Sequence, residues 1–383
     1  MGSLGRRLRR LILGMLLTLG VSACSAASAR EWPAWLGFQA AYVSQDGRVV
    51  DFSEADLRTV SEGQSYALFF ALVAQDRRAF DLLLTWTENN LAQGDLKNNL
   101  PAWIWGKQGN GWGVIDSNSA SDADLWIVYT LLEAGRLWCE PVYTHKATLL
   151  GEQILAQESL DVEGLGLSVL PGKRGFVQAD GGVKLNPSYV PPFLMARLAN
   201  AWAGDKRWAD IYLSSQRLLL DSSSNGFYPD WVVYQNGLKR LAEGEPRGDY
   251  DAIRTYLWIA MSHPHDPITA PLIKQLSPLA ALLVKRQHMP EWLEPQSGQT
   301  ASQPGPAGFQ VAVAPLAKSM GLDKLASTLG QRNLRSKNPD DWLKYGYYNS
   351  VLSLFAQGFT EKRYSFNSLG ELQLHGKEVK NCE

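Results

Sequence analysis

Three carboxylates in this chain stand in surroundings that suit chemistry better than solvent. Glu62 sits among small and hydroxylated residues in Thr59 to Leu72, TVSEGQSYALFFAL, just before an apolar helical run. Asp122 opens the apolar part of Asn118 to Trp138, NSASDADLWIVYTLLEAGRLW, and Asp251 lies in Gly248 to Arg254, GDYDAIR. An acid that keeps its proton and a second carboxylate that has lost its own are the equipment for cleaving a glycosidic bond. The first protonates the leaving oxygen, and the second activates water or attacks the sugar directly. Sequence spacing does not choose between those geometries, and a chain with 38 acidic residues supplies carboxylates of every kind. Context has to sort them.

Glu62 falls at a predicted helix start, where the macrodipole and free backbone N–H groups favour an acidic residue, so capping is its plain explanation. Against that stand Gly63, which is costly inside a helix, and the apolarity of the segment. Desolvation there would raise the carboxyl pKa, as a general acid requires. Asp122 and Asp124 follow Ser119 and Ser121 at another predicted helix start, where first-turn acids are again the default. Asp251 and Arg254 have the i, i+3 spacing of a surface ion pair worth about 0.3 kcal/mol. Tyr250 and Ile253 flank the pair and make it less ordinary.

The chain carries 14 Trp and 14 Tyr. Flat aromatic faces stack on the C–H faces of sugar rings and cost little entropy to hold still, although most of these rings are expected to be core. Trp103, Trp105 and Trp112 lie in PAWIWGKQGNGWG, a Gly-rich stretch with too few periodic apolar positions for a core helix. They are expected as exposed loop aromatics, a platform for sugar. For Tyr189 in Asn186-Pro187-Ser188-Tyr189, for Tyr228 with Trp231, and for Tyr345 to Tyr348, packing and sugar contact stand level. His263 and His265 flank Pro264 without nearby Cys, a weak metal signal, and no nucleotide fingerprint occurs.

Apolar periodicity predicts helices over 33–43, 62–75, 77–92, 122–138, 143–157, 190–203, 206–220, 251–261, 268–287, 308–329 and 341–357. Short extended pieces are expected near 167–178 and 227–234, and 291–308, rich in Pro, Gly, Ser and Gln, reads as a surface loop. Helix, long loop, helix in alternation predicts an all-α toroid. No composition break divides it.

The runs SEGQSY, ASDADLWIVYTLLEAGRLW and YDAIR together resemble glycoside hydrolase family 8, over about Trp32 to Gln373. The resemblance departs at Val128 and Thr130, where smaller residues are usual. It implies an (α/α)6 barrel with a sugar-binding cleft at one end. It also implies Glu62 as acid, Asp251 as the base with Arg254 fixing it, and Asp122 as the residue that orients the ring and stabilises positive charge, held ionised by N–H groups around it. Among the aromatics it favours Trp105, Tyr189, Tyr250 and Tyr347, with Trp112 and Trp231 as further sugar contacts. The YDAIR motif argues for a cellulase-type arrangement over the xylanase or chitosanase types. The implied reaction is inverting endo-hydrolysis of a β-1,4-glucan chain without metal or cofactor, by a monomer acting with a membrane cellulose synthase. A glucan-binding protein that does not cut, or a structural envelope lipoprotein, is the reading from another class.

Residues 1–29 have the form of an export signal: basic Arg6 to Arg10, apolar Leu11 to Val21, then small residues. Val21-Ser22-Ala23-Cys24 resembles a lipobox with a lipid anchor at Cys24, and Ala27-Ser28-Ala29 resembles an ordinary cleavage site before Arg30. Either places the protein in the periplasm or outside the cell, with 30–373 as one catalytic domain and 374–383 as a tail. The formal charge is −1, and losing Arg6, Arg7, Arg9 and Arg10 with the signal leaves −5, which disfavours nucleic acid as a partner. Cys139 and Cys382 are expected as free thiols, with Cys139 buried on its helix.

Overall fold

The computed structural model of the chain describes residues 31–375. The export signal with Cys24, and Cys382 in the tail, lie outside the described residues. The helices are α1 (Pro33–Tyr42), α2 (Ser61–Ala74), α3 (Arg77–Leu91), α4 (Ser121–Trp138), α5 (Pro141–Gln157), α6 (Pro192–Ala201), α7 (Lys206–Ser222), α8 (Ala252–Met261), α9 (Thr269–Gln275), α10 (Ser277–Arg286), α11 (Ala307–Ala312), α12 (Ala314–Ser319), α13 (Asp323–Gly330), α14 (Pro339–Tyr345) and α15 (Tyr347–Thr360).

Two kinds of helix alternate. α2 buries every residue from Gly63 to Val73, α4 every residue from Ser121 to Gly135, and α8 its whole length. A helix covered on all sides belongs inside a larger ring. α2 packs on α4, α4 on α6, α6 on α8, α8 on α11 and α12, α11 on α15, and α15 back on α2, which closes an inner ring. The helices between them pack outside and bury one stripe only, as α3 does through Phe80, Leu83, Leu84, Trp86 and Leu91. This is the (α/α)6 barrel. Its middle is filled by rings: Phe69 stacks on Phe355 at 5.5 Å, and Trp126 lies 5.4 Å from Trp258.

Three predicted helices are broken. The one over 268–287 splits at Leu276, because Pro278 has no N–H to give and restricts the residue before it. The one over 308–329 becomes α11, α12 and α13, with Pro315 in the first turn of α12 and Gly321 at φ +76° before α13. The one over 341–357 breaks at Gly346, whose φ of +91° no L side chain adopts easily.

The strands serve the loops. β1 (Thr59–Val60), β2 (Ile104–Gln108) and β3 (Gly111–Asp116) form an antiparallel sheet, so the Gly-rich tryptophan stretch is a hairpin rather than an irregular loop. β4 (Ser159–Val162) pairs with β5 (Gly166–Val169), and β6 (Val183–Leu185) pairs with β7 (Val232–Gln235), which pairs with β8 (Leu238–Leu241). The extended pieces expected at 167–178 and 227–234 are regular only in β5 and β7. β9 (Tyr364–Phe366) and β10 (Leu372–Leu374) close the chain against α4, where the buried Glu133 carboxylate accepts the N–H of Leu372 and pairs with Arg136 and Arg197.

Cys139 departs from expectation. It caps the C-terminus of α4 in the left-handed conformation, is exposed, and is disulfide-bonded rather than a buried free thiol. The turn that ends the helix swings its side chain out of the packed face.

Candidate active site

Outer helices carry the chain back between inner ones, so α2, α4, α8 and α15 all begin at the same rim. Glu62, Asp122, Asp251 and Tyr347 are therefore brought together from positions far apart in sequence.

The SEGQSY motif divides its labour. Gln64 is fully buried: its carbonyl accepts from Val49 N–H at 2.6 Å, and its amide donates to Thr87 Oγ1 at 3.0 Å and to the carbonyls of Gly47 and Leu83. It ties the start of α2 to α3 and to the preceding loop. Gly63 makes room, because a Cβ there would stand 2.1 Å from the Tyr347 hydroxyl. Tyr66 lies beneath, its hydroxyl pushed well up by burial and acted on by Arg254, Asp122 and Glu62. Glu62 itself does not cap its helix. Its Oε1 accepts the indole N–H of Trp103 at 3.2 Å. Burial, then the charge of Asp122, pushes its pKa from an ordinary 4.5 up to about 8. A raised pKa is the direction that the apolarity of α2 suggested.

Asp122 is 2% exposed in the first turn of α4. Its Oδ1 accepts one backbone N–H, from Ala123 at 2.9 Å, and its Oδ2 faces Arg254 Nη2 at 3.6 Å. The N–H groups expected to favour its ionised form do pull its pKa down, with Arg254 beside them. Burial pushes the pKa up to about 6, with Arg254 pulling it down and Asp251 pushing it further up.

Asp251 and Arg254 are no surface pair. Arg254 is 8% exposed, and its Nη2 donates to Asp251 Oδ1 at 2.7 Å and to Ser188 Oγ at 3.0 Å, so one guanidinium spans two carboxylates of the rim. Ser188 is held by Asn186 within the short 3₁₀ turn Pro187–Tyr189, which also presents Tyr189 to Arg254 with the guanidinium 5.8 Å from its ring.

The aromatics separate. Trp103, 38% exposed, is the indole against Glu62. Trp105 packs edge-on to Trp86 and stacks with Trp112 at 5.5 Å, with the Arg48 guanidinium against both rings. Trp112 is half exposed on the hairpin. Trp231 lies between Phe176 and Tyr189, under the Lys184 ammonium. Tyr250 is exposed beside Asp251, its edge on Phe309, and its carbonyl accepts from the Tyr348 hydroxyl.

Two carboxyls that the motif reading left aside sit deeper. Asp124 is fully buried against Glu158, and burial pushes both up, Glu158 to about 8. The charge of Glu158 raises Asp124 further, and Glu158 accepts the Ser119 hydroxyl. Among the described residues no three His, Cys, Asp or Glu side chains gather as metal ligands. A cavity of about 840 Å³ lined by Ser262, Ile273, Lys318, Phe359 and Lys362 lies at the opposite ends of α8 and α15, away from the carboxylates.

An (α/α)6 barrel whose rim sets a carboxyl of raised pKa beside two carboxylates bridged by a buried arginine defines a glycoside hydrolase. More particularly, the chain belongs to Glycosyl hydrolases family 8, which it matches over residues 8–362. It is 43% identical over 362 residues to an endoglucanase of Escherichia coli (strain K12), covering 94% of this chain and 95% of that one. It is 41% identical over 369 residues to an endoglucanase of Xanthomonas axonopodis pv. citri (strain 306), covering 94% of each. Among solved structures, an endo-1,4-D-glucanase from Vibrio fischeri ES114 matches with a TM-score of 0.81 at 41% identity, covering 90% of this chain and 99% of that one.

Proposed function

We propose that the protein is an endo-β-1,4-glucanase that cuts cellulose chains with inversion. One observation carries this reading: a carboxyl pushed up to about 8 at Glu62 shares a rim with Asp122 and Asp251, and one arginine spans those two. A general acid must still hold its proton when its partner has lost one. Glu62 protonates the leaving glycosidic oxygen, Asp251 removes a proton from the attacking water, and Asp122 stabilises the positive charge that grows on the sugar ring. Arg254 places one cation between the last two. The endoglucanase names of relatives above 40% identity over nearly the whole chain support the substrate. The exposed faces of Trp103, Trp112 and Tyr250 suit a glucan chain lying along the rim.

The finer part of the proposal is that the enzyme works outside the cytoplasm, as a monomer, alongside a membrane cellulose synthase. Arg6 to Arg10 followed by Leu11 to Val21 supports export. The intact mass of protein recovered from the cell envelope is expected to begin at lipid-modified Cys24 or at Arg30, and a full-length cytoplasmic product overturns it.

The activity is tested by reducing-end release from carboxymethylcellulose, xylan and chitosan, with wild type and Glu62→Gln. Release from carboxymethylcellulose that Glu62→Gln abolishes is expected. Faster release from xylan or chitosan would replace the substrate assignment.

A further inference from the structure

The residue at the start of α8 does not cap its own helix. Asp251 has helical backbone angles, φ −87° and ψ −49°, and its carboxylate is turned away to Arg254. The N–H groups that a helix start leaves without partners are satisfied from elsewhere. Asp230, 21 residues earlier, offers a single oxygen to two of them and to the turn before: its Oδ1 accepts from Asp251 N–H at 3.1 Å and from Ala252 N–H at 2.7 Å, and also from Asp249 N–H at 2.9 Å. Capping and proton transfer normally compete for one side chain at such a position. Here they are divided between two.

We propose that Asp230 is a positioning residue for the hydrolysis: by gathering the backbone of 249–252 on one oxygen, it fixes the direction in which Asp251 meets its water. The proposal rests on the reading of Asp251 as the base. Three further features of the page agree with it. Gly248, just before this turn, lies so close to the carbonyl of Tyr228 that a Cβ would stand 1.9 Å from it, so the loop carrying Asp230 and the turn carrying Asp251 are pressed together. The N–H of Asp230 itself donates to the carbonyl of Arg247 at 3.0 Å, which closes the contact from the other side. Burial, then the charges of Asp251 and Asp249, pushes the Asp230 carboxyl up to about 8. That shift runs against a second full negative charge beside the base, while the backbone N–H groups on Oδ1 pull the other way.

That last feature gives the test its discriminating variant. Asparagine keeps a carbonyl oxygen for the three N–H groups and an amide for Asp249, whereas alanine offers nothing. Wild type, Asp230→Ala, Asp230→Asn, Asp251→Ala and the double variant Asp230→Ala with Asp251→Ala are assayed on a soluble β-1,4-glucan. Amide hydrogen exchange is followed in the peptide 248–254. Asp230→Ala is expected to lose about a hundredfold in kcat, the scale of a small misplacement of a catalytic group. Its KM should stay within about threefold, and Asp230→Asn should recover kcat to within about threefold of wild type. The double variant should be no slower than Asp251→Ala alone, because nothing is left to position. Exchange in 248–254 should quicken in Asp230→Ala and not in Asp230→Asn.

Wild-type kcat in Asp230→Ala, a loss in Asp230→Asn equal to that in Asp230→Ala, or losses that multiply in the double variant would each overturn the proposal. If Asp230→Ala does not fold, the asparagine variant decides: near wild-type kcat and protection support the proposal, and a slow, deprotected enzyme overturns it. A wild type inert on the glucan sinks the activity reading instead, and the exchange comparison then decides the positioning on its own.

Discussion

The indole of Trp103 donates to Oε1 of Glu62 at 3.2 Å, on a side chain 38% exposed to solvent. A hydrogen bond to the ionised form of a carboxyl favours that form, so this contact works against the burial that raises Glu62. Trp103→Phe keeps the ring and removes the donor. The pKa of Glu62 should climb further, and the alkaline limb of the pH profile of kcat/KM should move to higher pH. A limb that stays in place would mean that the indole N–H does not govern the acid.

Trp105 should behave differently from its neighbour. Wedged against Trp86, Trp112 and Arg48, it holds the hairpin onto α3. Trp105→Ala is expected to cost about 2 kcal/mol of stability through lost packing, read as a lower urea midpoint. Trp103→Ala should leave that midpoint nearly unchanged while slowing turnover. Equal midpoints for wild type and Trp105→Ala would return that ring to the sugar-binding surface.

Glu62→Gln should lose at least about a hundredfold in turnover, the usual scale for a general acid. It should also change stability with a definite sign. The folded pKa of about 8 lies above the ordinary value of 4.5, so the group's contribution is whole below 4.5, where both states are protonated. It drains away as pH rises towards 8, because the unfolded chain sheds its proton first. Glutamine does not titrate. The difference in Tm between Glu62→Gln and wild type should therefore grow in the mutant's favour from pH 5 to pH 8.5, and a constant difference would count against the raised pKa.

Arg254→Met leaves two carboxylates facing one another without their shared cation. Asp122, already pushed up to about 6, should rise further, and the acid limb of the activity profile should move to higher pH. Breaking a buried ionic arrangement costs about 3–5 kcal/mol, measurable by urea unfolding. An unshifted acid limb with intact stability would place the positive charge elsewhere.

Inversion requires room for a water between acid and base, about 6.5–9.5 Å between carboxyl groups. Proton NMR of the first products from a β-linked cello-oligosaccharide should show the α-anomer. The β-anomer as first product, or a trapped covalent glycosyl enzyme, would replace inversion with retention.

Much of this was legible in the sequence for a reason particular to inner helices. Their starts carry the chemistry, and SEGQSY and YDAIR are local words that place Glu62, Gly63, Asp251 and Arg254 within one turn of a helix start. Register was harder. Trp103 precedes β2 and Trp105 lies within it, after a shift in the pairing of β2 with β3 between Ile104 and Trp105, and it is Trp103 that reaches the acid. Asp230 left no local sign, because its three partners are backbone N–H groups 19 to 22 residues away. The break at Leu276 was there to be read in Pro278. The outward turn of Cys139 was not, since it follows from a left-handed backbone at a residue that is not glycine.

The fit between Gly63 and the Tyr347 hydroxyl has a bearing on descent. A methyl at position 63 would drive the hydroxyl at 347 away from α2, and a smaller residue at 347 would leave a gap beside Gly63. Neither change is neutral while the other position keeps its present occupant. Two sites on the first and last inner helices are thus bequeathed as a single character, and a lineage that drifts at one is expected to have moved at the other.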